Sequence, residues 1–553
     1  MNNLDVARAL YEIADLLELK GDDLFKIRAY RKAAESIELL PDEVETVDRQ
    51  GRLQAVPGIG KAISAKVHEL ITTGKLDALE ELRRAIPPGV RDLTRVPGLG
   101  AKTAMLLYTR LGIDSLDRLE LAARQGELKD LPGVGARKEA QLLGQLQKLR
   151  TRQERISIGA VKPVAETLAE YLGQHPAVQR AEVAGSVRRR QETVDDIDLV
   201  VATDQPAEVL DYVRRLPIAG AVTEETEAHI KLETSLGRHM EVVVVPPAQF
   251  ARNLMKMTGT AEHLKELGTL PDADSEAAIY EALGLPYIEP ELREGLGEVT
   301  AARQGLLPNL LQRSHLRGDL HTHTRASDGT ATLLEMAEAA MALGHRYLGI
   351  CEHSKSLAIA NGLTTDRLAI HAAEIRRLNQ GFTNFRLLRG TEVDILKDGS
   401  LDYPDDVLAG LDVVVASIHS HMGLDTAAQT ERLLKAIRNP HVDIIGHPTG
   451  RVLGRRDPYP LEFERILEAC AETGTALEIS ASPARLDLSD VHARLAKAYG
   501  VKLVINTDAH STHELQLLEY GVDQARRAWL EPGDVVNAMD LDPLLAWLAK
   551  EKR

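Results

Sequence analysis

DLHTHT, residues 319–324, is a short segment that ends on two histidines, and five later segments repeat its plan. They are LGICEHS (348–354), LRGTEVD (388–394), VVASIHSH (414–421), IIGHP (444–448) and LVINTDAH (503–510). Most read as short apolar strands, with helical stretches between them. Parallel strands buried on both faces run as near-continuous Val, Ile and Leu. A polar residue just past such a run sits at the strand's C-terminal end, where αβ barrels collect their chemistry. On that reading His321, His323, Asp328, His353, Glu392, His419, His447, Asp508 and His510 converge on one place. One histidine beside an apolar strand is ordinarily structural. Six of them, joined by Asp and Glu at the same point of each repeat, suit Zn²⁺ or Mn²⁺.

Composition frames the rest. A chain of 553 residues is too long for one core and predicts three to four domains. With 27% charged residues and no long apolar run, it reads as a globular protein without a membrane span. No basic-then-apolar leader opens it, and only Cys351 and Cys470 are present. A cytoplasmic, nucleoid-associated location in a bacterial or archaeal cell is therefore expected, with no disulfide framework and no thiolate zinc site. Aromatics are 3% of the chain, which argues against base stacking on aromatic platforms. The net charge of −16 is unfavourable for nucleic acid, but residues 1–155 are near balance and the acid excess lies later.

The N-terminal part contains an internal repeat. VPGIGKAISAKV starts at Val56, VPGLGAKTAMLL at Val96 and LPGVGARKEAQL at Leu131. Each is a Pro-Gly-apolar-Gly turn that opens into a helical pattern. Glycine permits close backbone approach, so amides at the helix start can face a phosphate oxygen. This is the helix-hairpin-helix signature, which grips the DNA backbone without reading sequence. The candidate contacts are Gly58, Gly60, Gly98, Gly100, Gly133 and Gly135.

AGSVRRRQETVDDIDLVVAT, residues 184–203, carries a third signal. Asp196 and Asp198 alternate around Ile197 on a strand, so both carboxylates leave one face. Adjacent carboxylates repel unless a cation sits between them, which points to Mg²⁺ or Mn²⁺. Upstream, Gly185 and Ser186 with Arg188 and Arg189 offer donors and positive charge to a triphosphate.

Residues 315–553, with all nine ligand positions filled, resemble the polymerase and histidinol phosphatase (PHP) family, a distorted barrel of roughly seven βα units. The resemblance implies three metals: one on His321, His323, Glu392 and Asp508, one on Glu392, His419 and His447, and one on Asp328, His353 and His510. Glu352 stands where that family often has Asp and is expected to act behind the ligands. The GS and DxD elements, with HMEVVVVPPAQF and KMTGTAEHL downstream, resemble family X DNA polymerase over residues 1 to about 300. IRAYRKAAESI (27–37) and the first hairpin resemble that family's lyase domain. There Lys66 would form the Schiff base and Lys32 would hold a 5′-phosphate; cationic neighbours activate such a lysine.

The resemblance implies six parts: a lyase-like domain (1–82), fingers with two hairpins (83–154), a palm (155–247), a shortened thumb (248–298), a linker (299–316) and the PHP domain (317–553). The expected fold class is multidomain α/β. It combines helical hairpin domains, a mixed α+β nucleotidyltransferase palm and a distorted (βα)7-like barrel.

The palm departs from the family pattern. Glu241 replaces the third catalytic Asp, and one extra methylene can move its oxygen by about an ångström, at a cost of about 100-fold. Arg190 and Asp195 replace two glycines, and Asp195 would repel a triphosphate that Arg190 partly shields. Val243 replaces an arginine, Lys256-Met257 a Tyr-Phe pair, and Leu264 an asparagine. Weak, Mn²⁺-favoured synthesis on gapped or nicked duplex DNA with dNTPs is expected, beside Mn²⁺-dependent 3′→5′ exonuclease action in a monomer. The alternatives are a repair nuclease with a degenerate palm and a small-molecule phosphatase of the PHP type.

Overall fold

The computed structural model describes residues 3–549 except 39–43, 95, 97, 130, 133, 154 and 236. It divides into two compact units, Met1–Glu154 and Arg155–Arg553. The first is helical, with α1 (Asn3–Lys20), α2 (Leu24–Glu38), α3 (Lys61–Thr73), α4 (Ala101–Leu111) and α5 (Ala136–Gln153) among its helices. Ile63, Val67 and Leu70 of α3 are buried at the spacing that keeps one helical face inward. Together with Ala104 and Leu107 of α4 they belong to one apolar core running from Val6 to Leu146.

The second unit opens with a five-stranded mixed sheet: β1 (Arg180–Val183), β2 (Asp196–Ala202), β3 (Ala219–Thr226), β4 (His229–Thr234) and β5 (His239–Val245), in the order β1-β2-β5-β4-β3. Strands β2 and β5 are parallel, and their register sets Asp198 beside Glu241. Helix α6 (Ile158–Gly173) packs on the sheet, and the single turn α7 (Gly185–Arg188) joins β1 to β2. Four short helices follow: α8 (Phe250–Thr258), α9 (Ala261–Leu267), α10 (Glu276–Ala282) and α11 (Glu298–Gln304). They close around Met255, Ile279, Tyr280, Ile288 and Val299.

Residues 299–316, expected as a linker, are built into the fold on both sides. Val299 and Ala302 are buried among the four helices, while Leu311 and Leu316 enter the next core. Their apolar side chains are worth more buried than a free spacer would allow.

Seven parallel strands complete the unit: β6 (Gly318–Thr322), β7 (Tyr347–Ile350), β8 (Arg386–Asp394), β9 (Val413–Ser417), β10 (Ile444–Ile445), β11 (Ala476–Ser480) and β12 (Leu503–Asn506). They lie in sequence order. Beyond β12, a bridge from Thr322 to Ala509 draws the last strand back to the first, with Asp508 N donating to His321 O at 3.0 Å. The sheet thus curls into a nearly closed barrel. Every residue of β6, β7, β9, β11 and β12 is buried, as strands covered on both faces require. Helices α12 (Asp490–Ala498) and α13 (Leu518–Arg527) lie on its outside. Cys351 and Cys470 are buried free thiols, and among the described residues no helix is long and apolar enough to cross a membrane.

Candidate metal centre and palm site

Glu392, at the C-terminal end of β8, is the hub of the barrel mouth. Its carboxylate lies 2.7 Å from His353 Nδ1, 3.0 Å from His447 Nε2, 3.3 Å from His419 Nε2, 3.5 Å from His321 Nε2 and 3.7 Å from His323 Nε2. Asp508 Oδ1 lies 3.1 Å from His323 Nε2, and Asp328 lies 3.4 Å from both His353 Nε2 and His510 Nε2. All nine residues expected from the sequence meet here.

Among the described residues three sets have donor atoms within 4.8 Å of one another: His321, His323, Glu392 and Asp508; His353, Glu392 and His419; and His323, Asp328, His353 and His510. The first is the set the family resemblance implies. The third adds His323 to its set. In the second, His353 stands where His447 was implied, while the His447 ring lies 5.2 Å from that of His419.

The donor set fits divalent metals. His321 Nε2, His323 Nε2, Glu392 Oε2 and Asp508 Oδ1 are buried and lack a hydrogen bond, an expensive state for polar atoms unless a cation takes them. Two ligand residues hold left-handed backbone, His447 (φ 28°) and Asp508 (φ 56°), a strain that gathers where a site is over-determined by its surroundings.

Behind the ligands stand carboxylates that the sequence reading missed. Glu478 accepts from His321 Nδ1 at 2.7 Å, from His447 N at 2.7 Å and from Asn506 Nδ2 at 2.9 Å. Asp394 holds His419 Nδ1 at 2.6 Å, and Asp319 accepts from His321 N at 3.0 Å. Such partners fix the ring and its tautomer and raise ligand basicity. Their trace in the sequence was an acid inside an apolar run, as in LEIS, or two residues after a ligand, as in EVD. Glu352 is fully buried, and Thr324 and Ser327, neighbours in sequence of His323 and Asp328, donate to it.

The electrostatics follow from this packing. Burial pulls His419 and His353 down, but Glu392 and the neighbouring aspartates prevail and push them up to about 10 and about 9. Burial and the adjacent His353 and His510 rings push His323 down to about 3. Burial also opposes ionisation of Glu392, and the surrounding imidazoles outweigh it and hold it well below the usual carboxylate range. A bound metal would replace the protons these rings otherwise carry.

In the palm, burial and then Asp196 and Glu241 push Asp198 up to about 7. Burial and the adjacent Asp195 raise Asp196 as well. Three neighbouring acids without equal positive charge favour a cation between them. Gly185 (φ 59°) is required at its position, since a Cβ there would lie 1.7 Å from Asp198 Oδ2. Ser186 Oγ is buried without a hydrogen-bond partner. Glu241 Oε1 is 3.0 Å from His229 Nε2, so the longer acid leans on a histidine.

The arginines are differently placed from the expectation. Arg188 pairs with Glu276 (Nη1–Oε1 3.0 Å, Nη2–Oε2 2.6 Å), and Arg189 with Glu294 (Nε–Oε1 3.1 Å). Arg190 does not shield Asp195. Its left-handed backbone (φ 58°) carries the side chain to Glu166 at 3.1 Å and Asp523 at 3.8 Å. Asp195 is exposed and has Arg155 at 3.7 Å.

In the helical unit the three hairpin turns close alike: Ile59 N donates to Val56 O (3.1 Å), Leu99 N to Val96 O (3.0 Å) and Val134 N to Leu131 O (3.1 Å). Gly58 and Gly98 take φ of 84° and 85°, and Gly60 and Gly100 start α3 and α4 without a side-chain cap. First-turn amides left uncapped can meet a phosphate. The third copy differs, because Gly135 takes φ 24° where Gly60 and Gly100 are extended. Gly133 lies outside the described residues. Lys32, on α2, packs its Cγ where a Cβ on Gly58 would fall, 2.7 Å away, and Lys66 is half-buried on α3.

A carboxylate-bearing palm, hairpin helices and a histidine-rich barrel define a DNA-handling nucleotidyltransferase joined to a metal-dependent phosphoesterase. Residues 1–76 match the helix-hairpin-helix domain family and 90–148 the SAM-like helix-hairpin-helix tandem. Residues 252–294 match the DNA polymerase beta thumb and 319–482 the PHP domain. The chain belongs to the family X DNA polymerases that carry a C-terminal PHP domain. It is 38% identical, over the full length of both chains, to DNA polymerase/3'-5' exonuclease PolX of Bacillus subtilis (strain 168). A probable phosphatase of Thermoanaerobacter sp. (strain X514) is 29% identical over 42% of this chain and 95% of its own length. Another, of Caldanaerobacter subterraneus subsp. tengcongensis, is 30% identical over 35% of this chain and 75% of its own.

Proposed function

We propose that this chain fills short gaps in damaged DNA and trims 3′ ends, with the palm as polymerase and the barrel as 3′→5′ exonuclease. The observation that carries the reading is the pairing of two acidic clusters in one chain: three acids on adjacent palm strands, and Glu392 in the barrel with seven further His and Asp residues clustered about it. Asp196, Asp198 and Glu241 take Mg²⁺ or Mn²⁺, and the Gly185–Arg189 turn takes the triphosphate of a dNTP. The nine barrel ligands take up to three Mn²⁺ or Zn²⁺ ions. When bound there, such ions would supply hydroxide near neutral pH and would stabilise the attacking and leaving oxygens of a phosphodiester. The chain's own part is to hold the rings in place through Glu478 and Asp394.

The hairpin glycines grip the backbone of gapped or nicked duplex, with Lys32 on the 5′-phosphate and Lys66 as lyase nucleophile. The protein acts as a monomer in the cytoplasm. Synthesis is slow and favours Mn²⁺, because Glu241 leans on His229 and both triphosphate arginines are engaged by acids. The phosphatase relatives match this chain over less than half its length, and a metabolite phosphatase has no use for hairpins or thumb.

The test is a one-nucleotide gapped duplex labelled at the primer 5′ end, with Mn²⁺, with and without dNTP. Extension is expected to be lost in Asp198→Ala alone, and shortening in His321→Ala/His323→Ala alone. Shortening without extension in the wild type would leave a DNA-guided nuclease on a retired palm.

A further inference from the structure

The palm turn that follows Gly185 and Ser186 is held from outside the palm sheet at every residue from Arg188 to Glu192. Arg188 is bound by Glu276, and Arg189 donates to Glu294 and to the Thr258 carbonyl (2.6 Å). The carbonyl of Arg189 in turn accepts from Arg527 Nη1 at 2.8 Å. Arg190 faces Asp523. Gln191 Nε2 donates to Glu294 at 3.1 Å. Glu192 accepts a two-pronged bond from Arg451 (3.1 and 2.7 Å) and another from Gln524 at 3.2 Å.

Two of these partners, Asp523 and Gln524, lie four and three residues before a third, Arg527, on α13, so each shares a face of this barrel helix with Arg527. They are not rim contacts. The Arg527 side chain is 9% exposed, Asp523 13%, and Lys162, which donates to Asp523 at 2.8 Å, 3%. Arg527 is also anchored on the barrel side, where Asp490 accepts from its Nε (3.0 Å) and Nη2 (2.7 Å). It thus reaches the palm with its guanidinium already oriented, and shares Glu294 with Arg189 at 2.7 Å.

From this geometry we propose that helix α13 of the barrel is a working part of the polymerase's triphosphate turn, with Arg527 and Asp523 as its positioning residues. Neither touches substrate. Arg527 fixes the carbonyl of Arg189 and takes part of the Glu294 charge, which leaves the Arg189 guanidinium able to exchange Glu294 for an incoming phosphate. Without Arg527, Glu294 falls to Arg189 and Gln191 alone. Asp523 faces Arg190 Nε at 3.8 Å while Glu166 of α6 accepts from its Nη1 at 3.1 Å, and the left-handed backbone of Arg190 needs such surroundings to sustain it. The replacement of glycine by Arg190 thereby becomes intelligible: the side chain ties the turn to the barrel.

The inference rests on the reading that this turn meets the dNTP, and the experiment separates the two. Single-nucleotide gap filling is measured over a range of dNTP for wild type, Arg189→Ala, Arg527→Ala, Arg527→Lys and Asp523→Asn. Exonuclease action of each preparation reports that the full chain is folded. Loss of one charged, buried hydrogen-bond set is expected to raise KM for dNTP about tenfold in Arg527→Ala, with kcat changed by less than about twofold. Arg527→Lys should recover part of it, Asp523→Asn should raise KM in the same direction, and shortening should stay at the wild-type rate. If Arg189→Ala leaves KM unchanged, the triphosphate reading of the turn fails. If Arg189→Ala raises KM while Arg527→Ala and Asp523→Asn match wild type, the role of α13 is overturned. Should Arg527→Ala lose exonuclease action as well, Asp523→Asn decides by the same criterion.

Discussion

In the barrel, five imidazoles surround the single carboxylate of Glu392, and further acids stand behind the rings. In the palm, Asp196, Asp198 and Glu241 face one another, and the positive groups acting on Asp198 are Arg189 and Lys231. Both sites sit on parallel strands, yet in the barrel imidazoles surround the central acid, whereas the palm is short of positive charge. The difference teaches where robustness lies. The barrel's candidate ligands are positioned by one another and by the carboxylates behind them. The palm depends on cations from solution and on arginines shared with the helices after it and with the barrel.

The comparison breaks most sharply at its hub. Glu392→Gln is expected to reduce exonuclease action by about 1,000-fold or more, since five rings lose their common partner and the metal its ligand. Extension of a gapped primer should persist, and metal analysis of the purified variant should show the loss. If shortening survives, the barrel is not one coupled site.

The palm's dependence on neighbouring helices has a signature in acid. Burial opposes ionisation of Glu276, but Arg188 and Arg293 outweigh it and hold the group at about 2 against an ordinary 4.5. A carboxylate depressed on folding contributes stability that is complete above its unfolded value and disappears as pH falls through the folded one. For Glu276 that window runs from about 4.5 down to 2, and the contribution is of order 3 kcal/mol. Thermal unfolding of Glu276→Gln should therefore lie below wild type at pH 7 and converge on it towards pH 2. Parallel curves would mean that the two arginines do not stabilise through this acid.

The smallest expected effect sharpens the contrast from the other side. Glu241→Asp withdraws the carboxylate from His229 and restores the shorter reach. Gap filling should speed up by about tenfold with exonuclease action unchanged. No gain would place the palm's weakness in the engaged arginines instead of the third acid.

Legibility from sequence followed the same divide. The nine candidate ligands could be named because most stand within or just past an apolar strand, and strand order in this barrel is chain order. The resemblance sets His447 with Glu392 and His419; its Nε2 lies 3.0 Å from Glu392, while the donor cluster around Glu392 and His419 takes His353. Glu478 was passed over, since an acid within an apolar strand has no marker until the facing ring is known. In the palm the DxD pair was legible from alternation, whereas the destinations of Arg188, Arg189 and Arg190 were not. Their partners lie from 24 to more than 330 residues away in the chain. The first two hairpins repeat their backbone as their sequences repeat, while the third keeps the turn and changes the glycine at the helix start.

Local pattern by itself indicated six of the barrel's seven strands, the hairpin turns and the two acids on one palm face, because each depends on spacing within a few residues. Only the tertiary structure decided which acids orient the ligands, why Arg190 replaces glycine, and that a barrel helix supports the palm. Those are contacts between distant segments, and charge pairing of that kind depends on burial and approach that no local spacing encodes.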